Sequence, residues 1–184
     1  MQVDLSSFDN RDYNPGGALK RGIWYFFNVI FILNPWNPFI GLKRGVLRLF
    51  GAKIGKGVII KPRVNVKYPW FLEIGDNSWI GEQVWIDNLG STKIGANVCI
   101  SQGALLLCGN HNYKKKTFDL MVGEIIIEDG VWIGARSIVS GGKTCYSHAI
   151  LTAGSVATSD LKKYGIYKGN PAEWIRERKI ESDD

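Results

Sequence analysis

The side chains of this sequence that could carry out acid–base chemistry lie in one irregular segment, between Leu106 and Ile127. The segment contains Cys108-Gly109-Asn110-His111-Asn112-Tyr113, followed by the lysine run 114–116. An imidazole titrates near neutral pH, so His111 could accept a proton from a hydroxyl group as a general base. The residues alone leave two interpretations of His111 open, a general base and an ordinary surface histidine.

The other reactive side chains fit no catalytic pattern. His148, the second of two histidines, lies within a regular stretch, which favours a surface position. Cys99, Cys108 and Cys145 have no metal-ligand spacing, so we interpret them as small buried thiols in a reducing compartment and predict no metal site. The lysine run is typical of a solvated loop tip, with phosphate binding as an open alternative.

A six-residue repeat surrounds the irregular segment and must position it. From Ile74 to Ala157 an aliphatic or small residue returns every six positions, as in Ile80-Gly81-Glu82-Gln83-Val84-Trp85. This spacing fits no helix, because apolar residues at i, i+6 and i+12 wander around a helical surface. The repeat predicts a β-helix in which each hexad supplies a short strand and a turn, and three hexads form one triangular coil.

The spacing also predicts which side chains point inwards. Ile54, Ile74 and Ile94 recur one coil apart, and the first and fifth positions of each hexad should line a narrow interior. The sixth position then faces outwards and exposes large aromatic area, for which a homo-oligomer is the simplest cover. The tryptophans at that position are Trp79, Trp85 and Trp132.

The 184 residues are therefore expected to form one solenoid domain with terminal additions. We predict an N-terminal helical, amphipathic segment at 1–53 and a β-helix at 54–162. An excursion loop at 108–126 interrupts the β-helix, and a C-terminal extension with a short helix follows at 163–184.

Charge and targeting signals narrow the partners and the compartment. The net charge of +6 favours anionic partners, but the scattered basic residues contain no nucleic-acid recognition motif. The N-terminus has no basic region and cleavage site of a secretory signal, which predicts a cytoplasmic location. The inner face of the membrane is the alternative.

The N-terminal segment contains 21 consecutive uncharged residues, 22–42, close to the ~20 needed to span a bilayer. Asn34-Pro35-Trp36-Asn37-Pro38 breaks this stretch and predicts two helices, at 23–33 and 42–50. Basic pairs flank both ends. Two interpretations remain open: packing on the solenoid or a neighbouring subunit, and peripheral contact with a membrane surface.

Four segments resemble the hexapeptide-repeat acyltransferases: Cys108-Gly109-Asn110-His111, Val131-Trp132-Ile133-Gly134-Ala135, residues 152–158 and residues 169–176. Within the maltose, galactoside and xenobiotic acetyltransferase branch, the chain is most similar to the colanic-acid biosynthesis acetyltransferase type. The segments that carry this second likeness are 49–55, Tyr68-Pro69-Trp70 and Ile100-Ser101-Gln102-Gly103. The resemblance implies an all-β solenoid, a left-handed parallel β-helix assembled as a homotrimer.

The resemblance also implies an activity and a set of site residues. The activity is acetyl-CoA-dependent O-acetyl transfer to a sugar hydroxyl of a sugar or glycan acceptor, in exopolysaccharide or surface-glycan biosynthesis. His111 would be the general base. Coenzyme contacts would fall on Ala135, Ala153, Thr158 and Arg176, and acceptor contacts on Gln83, Asp87 and Asn88, facing His111 across a subunit boundary.

Other functions remain open at this point. Related proteins acetylate the amine of a nucleotide-linked amino sugar or the hydroxyl of serine. A metal-dependent hydratase of the carbonic anhydrase sort would require three histidines per site, and this chain has two. A non-catalytic β-helix scaffold is the alternative of a different class.

Overall fold

A computed structural model describes residues 2–181, in which two helices precede a parallel β-helix of three sheets. We call these sheets faces one, two and three, and the β-helix from residue 53 to 161 the solenoid. Each coil contributes one short strand to each face, and strands of successive coils pair in parallel. The sequence therefore predicted the fold correctly.

Faces one and three each contain five strands. Face one consists of β1 (Lys53–Ile54), β4 (Leu72–Ile74), β7 (Thr92–Ile94), β12 (Ile125–Ile127) and β15 (Lys143–Cys145). Face three consists of β3 (Asn65–Val66), β6 (Trp85–Asp87), β9 (Leu105–Leu107), β14 (Ile138–Ser140) and β17 (Val156–Ala157).

Face two is a seven-stranded sheet. Its solenoid strands are β2 (Ile59–Ile60), β5 (Trp79–Ile80), β8 (Cys99–Ile100), β13 (Trp132–Ile133) and β16 (Ile150–Leu151). The two remaining strands come from the C-terminal extension, as β18 (Gly165–Gly169) and β19 (Ala172–Glu177). A separate hairpin of β10 (Gly109–His111) and β11 (Leu120–Val122) leaves the solenoid between faces three and one.

Stacked aliphatic columns hold the coils together. Ile54, Ile74, Ile94, Ile127 and Cys145 occupy the same register on face one, and all five are buried. Every predicted residue at the fifth hexad position is buried as well, Val58, Val84, Val98, Ala104, Val131, Ser137, Ala149 and Ser155 among them. The narrow interior follows directly from the period of six.

The sixth hexad position faces outwards, as the sequence predicted. Trp79, Cys99 and Trp132 stack in one column on the outer surface of face two, and both tryptophans are about half exposed. Trp85 lies instead on face three. The exterior aromatics are thus divided between two faces.

The N-terminal helices pack on the first coil. Helix α1 (Ala18–Phe27) continues as a π-helical turn (Asn28–Ile32), and α2 (Ile40–Leu49) follows after the proline-containing break. Trp24 is buried and its indole N–H donates to the carbonyl of Val66 at 3.0 Å. The side chain of Lys43 is fully buried, with Nζ 3.4 Å from the carbonyl oxygen of Ile60. Packing on the solenoid is therefore confirmed for the inner side of both helices.

The C-terminal extension is a β-hairpin, and the prediction of a short helix within 163–184 is wrong for the part that the structure describes. Strand β18 pairs in parallel with β16, and β19 folds back antiparallel to β18. The last coil would leave backbone groups of β16 unpaired, so an extended segment gains hydrogen bonds there that a helix could not make. The predicted extension also includes residues 182–184, which lie outside the described residues.

Candidate active site

The hairpin β10–β11 begins where the repeat is interrupted, and it carries His111. His111 pairs directly with Leu120 across the antiparallel ladder. Residues opposite each other in such a ladder project to the same side, so the imidazole and the Leu120 side chain share one face of the hairpin. The predicted excursion from the solenoid is confirmed, and the segment forms an antiparallel hairpin where the sequence predicted a loop.

Phe118 fixes the position of the imidazole. Its ring stacks on that of His111 with centroids 4.4 Å apart and an interplanar angle of 11°, and its carbonyl oxygen lies 2.9 Å from His111 Nδ1. A carbonyl oxygen only accepts hydrogen bonds, so Nδ1 must carry the proton and donate it. In the neutral ring this leaves Nε2 unprotonated, which is the form that a general base requires.

Phe118 adopts an unusual backbone conformation for an aromatic residue, with φ of 51°. This left-handed region is disfavoured for bulky side chains, and such residues persist only where the surroundings hold them in place. Phe118 N donates to the carbonyl of Lys115 at 3.1 Å, which closes the turn before it. The strain is located at the residue that orients His111.

The N-terminal arm, residues 4–15, lies along the hairpin. Asp4 N donates to the carbonyl of Lys116 at 3.0 Å, and the ring of Phe8 packs 5.9 Å from that of His111. The Tyr13 hydroxyl donates to the carbonyl of Leu89 at 2.7 Å. These contacts could not be predicted from the sequence, because neither segment is periodic and the pairing is long-range.

A cleft of about 420 Å³ opens beside the hairpin, and we call it the histidine cleft. Since Leu120 lines it and shares a face with His111, the cleft is on the imidazole side of the hairpin. Phe8 and Tyr13 contribute aromatic walls, while Arg21 and Lys67 contribute positive charge. The lining residues that matter below are Phe8, Tyr13, Arg21, Lys67, Tyr68, Leu89 and Leu120.

Asp87 and Asn88 lie at the same corner of the prism as His111, which we call the third corner, between faces three and one. The carbonyl of Asp87 accepts from Cys108 N at 3.3 Å, so Asp87 contacts the residue that directly precedes the hairpin in its own chain. Burial raises the pKa of the Asp87 carboxyl, and the ammonium of Lys67 offsets part of that rise. That Asp87 and Asn88 face the His111 of a neighbouring subunit across a subunit boundary stays a prediction.

Asn88 differs from Asp87 in accessibility. It is fully buried, its Oδ1 accepts from Tyr68 N at 3.0 Å, and its Nδ2 donates to the Tyr68 carbonyl at 2.6 Å. In the described chain Asn88 thus supports the turn that holds Tyr68 and is not open to a substrate.

The predicted coenzyme residues fall into different places. Ala135 and Ala153 are stacked at the second corner, between faces two and three, where Gly154 N donates to the Ala135 carbonyl at 2.8 Å. Gln83 lies at this corner too, exposed and with φ of 60°. Thr158 lies at the third corner, and Arg176 is exposed on β19. A single chain therefore does not bring Ala135 and Ala153 together with His111, because face three separates the two corners.

The thiols are not reactive groups of this site. Cys108 and Cys145 are buried and Cys99 is partly exposed, and all three are free. Burial raises the pKa of Cys108, beside the hairpin, and raises that of Cys145 to about 12. Both buried groups stay protonated at neutral pH, as the interpretation of small buried thiols requires.

Comparison with known proteins shows which family the chain belongs to. WcaF of Escherichia coli K12, whose name assigns it to the acetyltransferases of colanic acid biosynthesis, is 36% identical over 182 residues, covering 95% of this chain and 97% of WcaF. Galactoside O-acetyltransferase of Escherichia coli K12 is 26% identical over 138 residues, which cover 73% of this chain and 68% of the relative. No family model matches the chain.

A solved structure shows the same fold. The hexapeptide-repeat acetyltransferase VCA0836 of Vibrio cholerae superposes with a TM-score of 0.81 at 20% identity, covering 96% of this chain and 98% of VCA0836. The architecture is thus the left-handed β-helix of the hexapeptide-repeat class, as the sequence predicted. Together with the identity to WcaF, this shows that the chain belongs to the hexapeptide-repeat acetyltransferase family.

Proposed function

We propose that this protein transfers the acetyl group of acetyl-CoA to a hydroxyl of a sugar, in the synthesis of an exopolysaccharide or another surface glycan. The observation that carries the proposal is the His111 imidazole, whose Nδ1 donates to the Phe118 carbonyl and which lies on the same side of the hairpin as Leu120, a residue that lines the histidine cleft. The similarity to WcaF and to a galactoside O-acetyltransferase supports a glycan acceptor.

His111 would take the proton of the acceptor hydroxyl on Nε2 as that oxygen attacks the thioester carbonyl. The imidazolium would then return the proton to the departing coenzyme A sulfur. Because the acetyl group passes directly from the thioester to the acceptor oxygen, no acyl-enzyme forms. Throughout this exchange the Phe118 carbonyl holds Nδ1–H and prevents the ring from turning. Acetyl-CoA, when bound, supplies an activated acetyl group.

Ala135 and Ala153 fit an acyl-donor site because of their size. Successive coils are in tight contact there, since a Cβ at Gly134 would lie 2.4 Å from Ala153 N. Methyl side chains at two adjacent coils leave the outside of the corner open for a thin pantetheine arm. A coenzyme site on this fold is supported by VCA0836, which has the same fold and was solved in complex with acetyl coenzyme A. Thr158 and the exposed cation Arg176 would hold the nucleotide end.

The division of these residues between two corners favours a homotrimer. The second corner of one subunit would meet the third corner of its neighbour, joining Ala135 and Ala153 to His111. The outward column Ile59, Trp79, Cys99 and Trp132 on face two, in which both tryptophans are exposed, provides apolar area for such a contact. Light scattering should give about three times the chain mass of 20.6 kDa, and Trp132→Glu should reduce it.

On the acceptor side, Asp87 and Gln83 remain the proposed polar contacts. Asp87 lies at the corner from which the hairpin of its own chain leaves, whereas Gln83 would come from the second corner of a neighbour. Asn88 would act by holding Tyr68 in the cleft wall.

His111→Ala tests the function directly, with thiol release from acetyl-CoA followed against a panel of monosaccharides, nucleotide sugars and oligosaccharides. We expect a loss of ~10²–10⁴ in kcat with unchanged acetyl-CoA binding and assembly. His148→Ala is the matched control. It lies at the first corner, between faces one and two, where its ring stacks on Tyr164 at 4.8 Å. An unchanged rate in His111→Ala contradicts the general base, and amine acceptors preferred over all hydroxyls contradict O-transfer.

Peripheral contact with the cytoplasmic face of a membrane is also proposed, through the outer side of the N-terminal helices. Leu19, Ile23, Phe26 and Ile30 recur at helical spacing and are exposed, opposite the buried Trp24. Trp36, between two prolines, is 89% exposed. No helical segment of residues 2–181 has both the length and the apolar character that crossing a bilayer requires.

Charge favours a lipid surface as the partner of this apolar stripe. Residues 13–72 contain ten lysines and arginines and no aspartate or glutamate, although the whole chain has 17 acidic residues. A basic segment with an exposed apolar helix face is typical of helices that lie in an anionic interface. A symmetric contact between two copies of the segment would bring like charges together.

Vesicle co-sedimentation tests the membrane contact. We expect binding to phosphatidylglycerol-containing vesicles, weaker binding to pure phosphatidylcholine, and a reduction of about tenfold in Phe26→Ser and Trp36→Ser. Trp174→Ser, an exposed tryptophan of the C-terminal hairpin, is the control. Equal binding to both vesicle types, or equal loss in the control, contradicts the proposal.

A further inference from the structure

A second depression continues the histidine cleft along the inner side of helix α1, and we call it the helix groove. It has a volume of about 290 Å³ and shares Arg21, Lys67 and Tyr68 with the histidine cleft. The walls that belong to the groove alone include Tyr25, Asn28, Asn65 and Trp85. Because three residues line both depressions, the two are adjoining parts of one surface channel.

The chemistry of the helix groove matches that of sugar-binding sites. Tyr25 and Trp85 are exposed aromatic side chains, which offer flat apolar faces beside polar groups. Asn28 and Asn65 add amide donors and acceptors, and their side chains bond to each other at 2.8 Å. A sugar ring has the complementary pattern of apolar C–H faces and hydroxyl edges.

One buried atom in the groove lacks a partner. Asn28 is only 5% exposed, and its Oδ1 makes no hydrogen bond among the described residues, while its Nδ2 donates to Asn65. A buried acceptor without a donor is costly, and such atoms are rare in folded proteins. The oxygen has almost no accessible surface, so it makes the floor of the groove polar without itself contacting a ligand.

The junction of the two depressions is positively charged. Arg21 and Lys67 line both parts, and the ammonium of Lys67 offsets part of the rise that burial causes in the pKa of the half-buried Asp87. A carboxylate or phosphate on a ligand that passes through the junction would be attracted by these cations.

The histidine cleft alone has the size of an ordinary small-molecule site, ~300–1,000 Å³. One sugar residue beside His111 would therefore leave the helix groove unused. From these observations we infer that the helix groove is an extended glycan subsite, so that the acceptor is an acidic oligosaccharide bound across both depressions. This inference rests on the proposed acetyl transfer and specifies its substrate class.

Acetyl transfer and binding should be measured with four acceptors: galactose, maltotetraose, a uronic-acid tetrasaccharide and a phosphate-bearing tetrasaccharide. We expect kcat/KM for at least one acidic tetrasaccharide to exceed that for galactose by about tenfold or more, through a lower KM. The two acidic acceptors distinguish a carboxylate from a phosphate at the junction. No advantage of either acidic tetrasaccharide over maltotetraose and galactose overturns the inference.

Variants locate the effect in the groove. Tyr25→Ala should lower the tetrasaccharide-to-galactose ratio of kcat/KM about tenfold, and Arg21→Gln should remove most of the preference for the acidic chain. The matched controls are Tyr146→Ala, an exposed tyrosine at the first corner, and Arg44→Gln on α2. Controls that change the ratio as much as these variants overturn the assignment.

Calorimetry with the same tetrasaccharides separates this inference from the proposed function, because binding needs no transfer. Tetrasaccharide binding that Tyr25→Ala weakens, without any thiol release, supports the groove and contradicts the acetyltransferase activity. Thiol release with galactose but no gain in affinity from chain length contradicts the groove alone.

Discussion

In the solenoid, buried aliphatic residues stack one coil apart in columns such as Ile74, Ile94 and Ile127, whereas none of the residues 109–122 of the hairpin that carries His111 is buried. The solenoid is ordered by burial of apolar area repeated at fixed spacing. The hairpin is ordered by a few specific contacts, the Phe118 stack and the N-terminal arm among them. A rigid frame therefore supports a less stable element on which the chemistry is proposed, a common arrangement for functional loops.

The largest difference between the two regions should appear when a charge is introduced. Ile133→Asp places a carboxylate in the interior of face two, where Ile133 is fully buried, and we expect a loss of more than about 4 kcal/mol and unfolding of neighbouring coils. Circular dichroism during thermal unfolding measures this. Met121→Asp on the exposed side of β11 is the control, and equal destabilisation by both would remove the distinction.

Ala135→Trp tests a place where the solenoid itself would bind ligand. The indole would fill the outside of the second corner, so we expect acetyl-CoA to bind ~10–100-fold more weakly at an unchanged melting temperature. Isothermal titration calorimetry measures the affinity. Ala96→Trp, the corresponding hexad position at the first corner, should have no effect, and retained affinity in Ala135→Trp means that the donor lies elsewhere.

Phe118→Ala tests whether a contact within the hairpin affects activity more than stability. The carbonyl that accepts from Nδ1 remains, but the stacked ring is lost, so the imidazole should spend less time in its productive orientation. We expect kcat to fall about tenfold with little change in KM or melting temperature. A fall in melting temperature as large as that in a solenoid variant would show that the hairpin is part of the rigid frame.

Lys43→Met should produce the smallest effect, and with the opposite sign. Burial lowers the pKa of the Lys43 ammonium, so the folded state binds this proton less tightly than the unfolded chain. The free energy of unfolding should therefore rise as the pH increases from the lowered pKa towards the ordinary value of 10.5. Methionine removes this dependence and should stabilise the protein by about 1 kcal/mol at pH 7.

Urea titrations at pH 7 and pH 10 check this prediction. The stabilisation by Lys43→Met should be larger at pH 7 than at pH 10, because the wild-type penalty decreases as the ammonium loses its proton. A destabilised variant at pH 7 would mean that the bond of Nζ to the Ile60 carbonyl outweighs the cost of burying the charge.

The solenoid fold and the place of His111 at the interruption of the repeat could be predicted from the sequence, because both depend on local spacing. The period of six fixed the inward column of Ile54, Ile74 and Ile94, and the interruption of that period marked the hairpin. The prediction failed for the C-terminal extension, since the strand there forms only because β16 offers an unpaired edge. The sequence also could not show that the Asn88 side chain is buried and bonded to both backbone groups of Tyr68.

The sequence by itself determined the coil architecture, the burial of the hexad positions and the residue that could act as a base. Only the tertiary structure decided that Phe118 selects the tautomer of that base, that the N-terminal arm borders its ring, and that α1 forms a groove with face three. The physical reason is the distance along the sequence between the residues that interact. A stacked column repeats the same short-range rule in every coil, whereas these contacts join aperiodic segments whose pairing depends on how the whole chain folds.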